Sequence, residues 1–250
     1  MKSSKVYLVG CGLGDVELLT LKAYRVIQSV DVVLYDHLIT EEILDLIPAN
    51  TKKIYVGKQK GKHSLKQDEI NELTLKETKE SKKVARLKSG DPYIFGRASE
   101  EAIFLTQNGV EVEVIFGISS AFAGSSSVGI PPTARGYATN FSVVSAHLAN
   151  NRINVDWIPL LNMKNHTTIV LMGLSFAKEI KEFALKLKID ESIKVAIVSN
   201  ASRKNQSLIT TTLKNLDIDA KKAERPAILV FGEVVSLSEI LPKYSETSIK

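Results

Sequence analysis

Residues 84–97 read VARLKSGDPYIFGR, and the fold follows from how this stretch begins and ends. It opens as a short strand and breaks at Ser89-Gly90-Asp91-Pro92. It closes in a turn of aromatic residues, glycine and arginine. Glycine beside an acid at a strand end lets backbone approach a ligand and supplies a hydrogen-bonding carboxylate. Arg86, Lys88 and Arg97 around it attract anions. The same letters also describe a plain strand and tight turn, with Gly and Pro serving geometry.

Working outward, strand and helix patterns alternate. Strands are expected at residues 5–10, 31–35, 53–56, 84–87 and 110–115. Helices are expected around Leu19, Ala23, Val26, Ile27 and Val30, with Thr20 as N-cap, and over 41–46, 67–80 and 99–107. Repeated βα units predict a largely parallel sheet covered on both faces. Residues 119–128 are small and serine-rich, and Gly129-Ile130-Pro131-Pro132 then breaks the chain, which marks a domain junction. Beyond it, strands are expected at 141–145, 168–172, 194–199, 206–211 and 227–232, with an amphipathic helix at 176–187. The expected fold class is α/β, with two α/β domains over residues 1–117 and 118–250 and a ligand cleft between them.

The 250 residues are 44% hydrophobic and 24% charged, the composition of an ordinary globular protein. No apolar run is long enough to span a membrane. The N-terminus enters a strand without a signal-peptide core, which predicts a cytoplasmic protein. Cys11 is the single cysteine, so no intrachain disulfide or cysteine metal cluster can form. The formal charge of +5 suits nucleic acid, a polyanionic metabolite or solubility alone. With only 6% aromatic residues, base stacking has little support, and a small acidic ligand is the better expectation.

The first strand ends in VGCGLGD (9–15). Its G-x-G-x-G spacing departs from the G-x-G-x-x-G of dinucleotide sites, and Asp15 would repel a pyrophosphate. Asp36 follows the second strand, at the edge where α/β sheets place ligands, and suits either a general base or a turn cap. The basic loop at 57–64 lacks the G-K-[ST] order of a phosphate loop. The histidines show no metal-ligand spacing, and no G-x-S-x-G elbow supports a serine hydrolase.

Taken together, the segments resemble the tetrapyrrole methylase family. The runs are VGCGLGD (9–15), LLTLKA (18–23), DVVLYDHLI (31–39), GKQKGKHSLKQDEIN (57–71), RLKSGDPYIFGR (86–97), GIPPTARGYA (129–138), LMGL (171–174) and PAILVFGEVV (226–235). Tyr35-Asp36 and the run at 57–71 resemble the branch acting on uroporphyrinogen III.

The resemblance implies S-adenosyl-L-methionine as cofactor, S-adenosyl-L-homocysteine as product, and a homodimer; the composition predicts no nucleic-acid or membrane partner. It implies methylation of two pyrrole carbons of uroporphyrinogen III to give precorrin-2, which leads to sirohaem or cobalamin. Residue by residue, it makes Asp36 the proton acceptor and Lys58 the donor. Leu13, Ser89, Gly90, Asp91, Ile94, Ser119, Ser120, Met172 and Ala201 fall on cofactor positions. Asp15, Arg86 and Arg97 fall on polar cleft positions, and His63 and Arg135 are further cations for a polycarboxylate substrate. The chain departs from the family pattern at Leu13 (for Pro), Ser89 and Ala201 (for Gly), Phe116 (for Pro), Ala134 (for His) and Ala98-Ser99 (for Gly-Gly). A methylase of a later precorrin and a non-catalytic basic binding protein are the alternatives.

Overall fold

A computed structural model describes residues 5–57, 66–80, 83–148 and 152–244. The chain divides into two compact units, Met1–Ser119 and Ser120–Lys250. Among the described residues, no helix is long and apolar enough to cross a membrane.

The first unit is a five-stranded sheet of β1 (Lys5–Gly10), β2 (Val32–Tyr35), β3 (Lys52–Tyr55), β4 (Lys83–Lys88) and β5 (Glu111–Ile115). Its order is β3-β2-β4-β1-β5, and every pairing is parallel. The helices are α1 (Leu21–Ile27), α2 (Glu41–Leu44), α3 (Gln67–Lys79) and α4 (Ala98–Gln107). Thr20 caps α1 as expected, its Oγ1 accepting from the Ala23 N–H at 3.1 Å.

Period-two alternation sends the strand side chains to two cores. Val9, Val33, Ala85, Leu87 and Ile115 pack with Ala23, Val26 and Ile27 of α1 and Ile43 and Leu44 of α2. Val6, Leu8, Val32, Leu34 and Val84 pack on the opposite face with Ile70 and Leu75 of α3 and Ala98 and Leu105 of α4. The adjacent strands β1 and β4 therefore send their following helices to opposite faces. The C-terminal end of such a strand pair is where α/β sheets bind ligands.

The second unit holds α5 (Ser120–Ser126), β6 (Asn140–Ser145), β7 (His166–Leu171), α6 (Ala177–Lys186), β8 (Lys194–Ser199), β9 (Ser207–Thr212), α7 (Leu216–Asp219) and β10 (Ala227–Phe231). Its sheet order is β6-β7-β10-β8-β9, with only β6 and β7 parallel. Ile180, Ala184, Leu216, Val195, Ile197, Leu229 and Phe231 belong to one core. Val128, Ile130, Ile169, Ala196, Val198, Ile228 and Val230 belong to the other. Helix α5 was not anticipated, because its Ser-Ala-Phe-Ala-Gly-Ser-Ser run carries almost no apolar periodicity. It is placed by packing instead, since a Cβ on Gly124 would come within 2.7 Å of the Ile228 side chain.

Candidate active site

In the first unit, the loops after β1, β4 and β5 meet through glycines. Gly12 and Gly90 form an isolated bridge, the Gly90 N–H donating to the Gly12 carbonyl at 2.7 Å. Gly90 has φ of 71°, a left-handed conformation costly for other residues. A Cβ on Gly10 would lie 2.6 Å from the Gly117 nitrogen and 2.8 Å from the Gly90 carbonyl oxygen. Three strand ends thus come together with no space for side chains between them.

Asp91 locks this junction. Its Oδ1 accepts from the Tyr93 N–H at 2.9 Å and its Oδ2 from the Gly117 N–H at 3.1 Å. Each carboxylate oxygen has two lone pairs, so Asp91 retains acceptor capacity for a ligand. Ser89 and Ile94 are half-buried on the same loop, and Leu13 and Ser119 are buried where the β1 and β5 connections return. The backbone cradle and the anchored carboxylate suit a cationic, hydroxyl-rich cofactor such as S-adenosylmethionine. Gly117→Ala is expected to destabilise the protein by about 1–3 kcal/mol through overpacking against the Gly10 and Gly90 backbone, measured by denaturant unfolding.

In the second unit, β7 and β8 both run antiparallel to β10 between them, so they leave the sheet at the same edge. Met172 follows β7 there and Ala201 follows β8. Met172 is exposed, with φ of 60°. Asn200 and Ser202 have φ of 51° and 62°, but Ala201 between them stays out of the left-handed region, the condition for replacing glycine at that position. Phe95 and Arg97 add φ values of 54° and 60° on the loop after β4. Among the left-handed non-glycine residues, Arg97 and Met172 are positions the sequence had marked and Phe95, Asn200 and Ser202 lie next to or near such positions, while Asn165 and Lys188 lie elsewhere. Ser120 opens α5, and exposed Arg135 sits in a turn closed by the Ala134 N–H bond to the Ala138 carbonyl at 3.0 Å.

Asp36 stands one residue beyond β2, and 23% of its side chain is exposed. Its Oδ1 accepts from the Leu38 N–H at 3.0 Å and its Oδ2 from Arg86 Nη2 at 3.0 Å. Asp36 is therefore both a turn cap and an oriented carboxylate. Arg86 is buried, and its Nη1 donates to the Leu87 carbonyl at 2.6 Å. Asp15 is buried too, with Oδ1 accepting from the Glu17 N–H at 2.8 Å to cap the single 3-10 turn Val16–Leu18. Arg97 is exposed and holds Glu100 in a two-pronged ion pair at 2.9 and 2.7 Å, which raises its pKa. Lys58 and His63 lie outside the described residues.

Sequence reading took Lys88 as a cation open to anions, but the structure buries it against Glu101, a residue that reading did not single out. Lys88 and Glu101 form a buried ion pair, with Nζ 2.8 Å from each carboxylate oxygen. Gln67 Nε2 donates to Glu101 at 3.0 Å and bridges to Asn71. Burial pushes the Lys88 pKa down, against the pull of Glu101. The available signal was the R-x-K alternation in β4, which puts two charges on the strand face that carries Val84. Burial also pushes the Cys11 thiol up to about 12, so it is inert at neutral pH.

Residues 5–217 match the family model of the tetrapyrrole (corrin/porphyrin) methylases. A uroporphyrinogen-III C-methyltransferase of Methanocaldococcus jannaschii is 42% identical over 238 residues, covering 94% of this chain and 98% of the relative. A siroheme synthase of Pseudoalteromonas atlantica is 40% identical across 95% of this chain, which spans only 52% of that longer protein. Among solved structures, the uroporphyrin-III C-methyl transferase of Thermus thermophilus complexed with S-adenyl homocysteine superposes with a TM-score of 0.82. It is 39% identical, with 93% of this chain and 99% of that one covered. A cobalt precorrin-4 methyltransferase, at 22% identity and a TM-score of 0.79, shares the fold.

Proposed function

The chain belongs to the tetrapyrrole methylases, and we propose that it methylates uroporphyrinogen III at two pyrrole carbons with S-adenosylmethionine, giving precorrin-2. The observation that carries this reading is the 42% identity to a uroporphyrinogen-III C-methyltransferase along nearly the full length of both chains. A complex of a 39% identical relative with S-adenyl homocysteine supports the cofactor.

When bound, the cofactor supplies a methyl group already activated on a sulfonium. The protein's task is to bring an electron-rich pyrrole carbon in line with it, which can remove much of a bimolecular barrier. The glycine junction and Asp91 hold the cofactor from the first unit, with Leu13, Ser89, Ile94 and Ser119. Ser120, Met172 and Ala201 are the cofactor positions carried by the second unit. As the new carbon–carbon bond forms, the ring must lose a proton, and Asp36 accepts it. Its two accepted hydrogen bonds fix the carboxylate in one orientation. Lys58 acts as proton donor. Arg97, Arg135 and His63 supply cations for the carboxylates of the substrate, while the buried Asp15 and Arg86 act from beneath the surface, Arg86 by holding Asp36. We assign the working form as a cytoplasmic homodimer.

Anaerobic incubation with uroporphyrinogen III and methyl-labelled S-adenosylmethionine is expected to place two labelled methyl groups on each tetrapyrrole. A tetrapyrrole fraction without label would overturn the assignment.

A further inference from the structure

Arg86 stands between two carboxylates. Its Nη2 is 3.0 Å from Asp36, and its Nε is 3.8 Å from Glu101. The Nε is shut off from solvent and makes no hydrogen bond. Arg86 thus has one satisfied side toward Asp36 and one open donor aimed at Glu101. Glu101 does not take that donor because Lys88 holds both its oxygens at 2.8 Å and Gln67 adds a third donor at 3.0 Å. The Lys88 and Glu101 side chains are only 6% and 4% exposed, too buried to bind a large substrate directly. Four buried or half-buried charges are a poor route to stability compared with apolar packing, so this arrangement points to another role.

We propose that Glu101 and Lys88 are positioning residues for Asp36, their pairing setting how firmly Arg86 holds the carboxylate that accepts the proton. This rests on the reading of Asp36 as the base. The four charges sum to zero. Removing the charge of Glu101 takes away the anion that competes for Arg86, so the guanidinium acts on the Asp36 carboxylate alone and holds it charged more firmly. Removing the charge of Lys88 frees Glu101 to draw Arg86 away, which makes Asp36 easier to protonate. A packing role gives no such opposition of sign.

Among the described residues, the other titratable and charged groups around the cluster are His37 beside Asp36, Tyr35 and Tyr55 at the ends of β2 and β3, and Cys11 beyond β1. Asp68 lies on α3, and Arg97 and Glu100 pair with each other at the start of α4. All of them, and the carboxylates of the substrate, stay the same in each variant below, so differences between variants report on the cluster.

The test is the acid limb of kcat against pH for methyl transfer, at saturating cofactor and substrate. Glu101→Gln should move the limb to lower pH and Lys88→Met to higher pH, each by about half to one unit. Gln67→Lys deletes no buried charge and sits at a half-buried position, so it guards against variants that fail to fold. Its ammonium should neutralise Glu101 and move the limb down. Limbs of folded variants that coincide with wild type, or that shift the same way for Glu101→Gln and Lys88→Met, would overturn the proposal. If both of those variants unfold, an unmoved limb in Gln67→Lys overturns it and a lowered limb supports it. A wild-type protein without methyl transfer, or Asp36→Asn with wild-type turnover, instead removes the underlying reading.

Discussion

Asp36→Asn is expected to slow methyl transfer by about 10²–10⁴-fold while cofactor affinity stays unchanged. Asparagine keeps the shape of the side chain and an oxygen that can accept the Leu38 N–H, so the turn after β2 survives. What disappears is the negative charge and the proton-accepting oxygen held by Arg86 at 3.0 Å. The glycine junction that would hold the cofactor lies after β1, β4 and β5 and does not involve the Asp36 carboxylate. Single-turnover transfer of labelled methyl, paired with calorimetric titration of S-adenosylhomocysteine, separates the two effects. Equal turnover in the variant would take the base role from Asp36. A large loss of cofactor affinity would place Asp36 in the binding site instead.

Asp91→Ala should show the opposite pattern, with cofactor binding weakened by roughly 10- to 100-fold. Charge-assisted hydrogen bonds contribute about 1.5–3 kcal/mol each, and each 1.4 kcal/mol is a factor of ten in affinity. The alanine leaves the Tyr93 and Gly117 N–H groups without their carboxylate partner and frees the β4 loop from the end of β5. Lower affinity for S-adenosylhomocysteine by calorimetry, recovered in part by Asp91→Asn, is the expected result. An unchanged dissociation constant would mean that Asp91 serves only the local turn.

The order of elements was readable because each pattern was strong on its own. Alternating apolar residues at 5–10 and 84–87 match β1 and β4 closely, while the helical spacing from Leu19 to Val30 runs past both ends of α1. Helix α5 left no such pattern, since serine, alanine and glycine serve helix and loop alike. It takes its place from contact with β10, a long-range term that no local window contains.

The candidate site divides in the same way. Asp36, Gly90 and Asp91 could be named as candidates because they stand at strand ends, where a turn cap and a ligand contact share the same letters, and because the family resemblance falls on them. Glu101 could not, because a glutamate in an amphipathic helix ordinarily faces solvent. Its burial depends on Lys88 projecting from the next strand layer, 13 residues away in sequence but 2.8 Å in space.

The sequence by itself determined the alternation of strands and helices, the glycines and acids at the strand ends, and the family resemblance, because these rest on short-range spacing. Only the tertiary structure decided that β1 and β4 are neighbours whose helices go to opposite faces, that Gly10 and Gly117 leave no space for a Cβ, and that Asp36 is tied through Arg86 to a buried ion pair. The physical reason is that strand order, close backbone approach and charge compensation depend on groups brought together from distant parts of the chain. The stretch at 84–97 shows both: its turn was written in Gly-Asp-Pro, and Lys88 acquired its partner Glu101 only when α4 packed over β4.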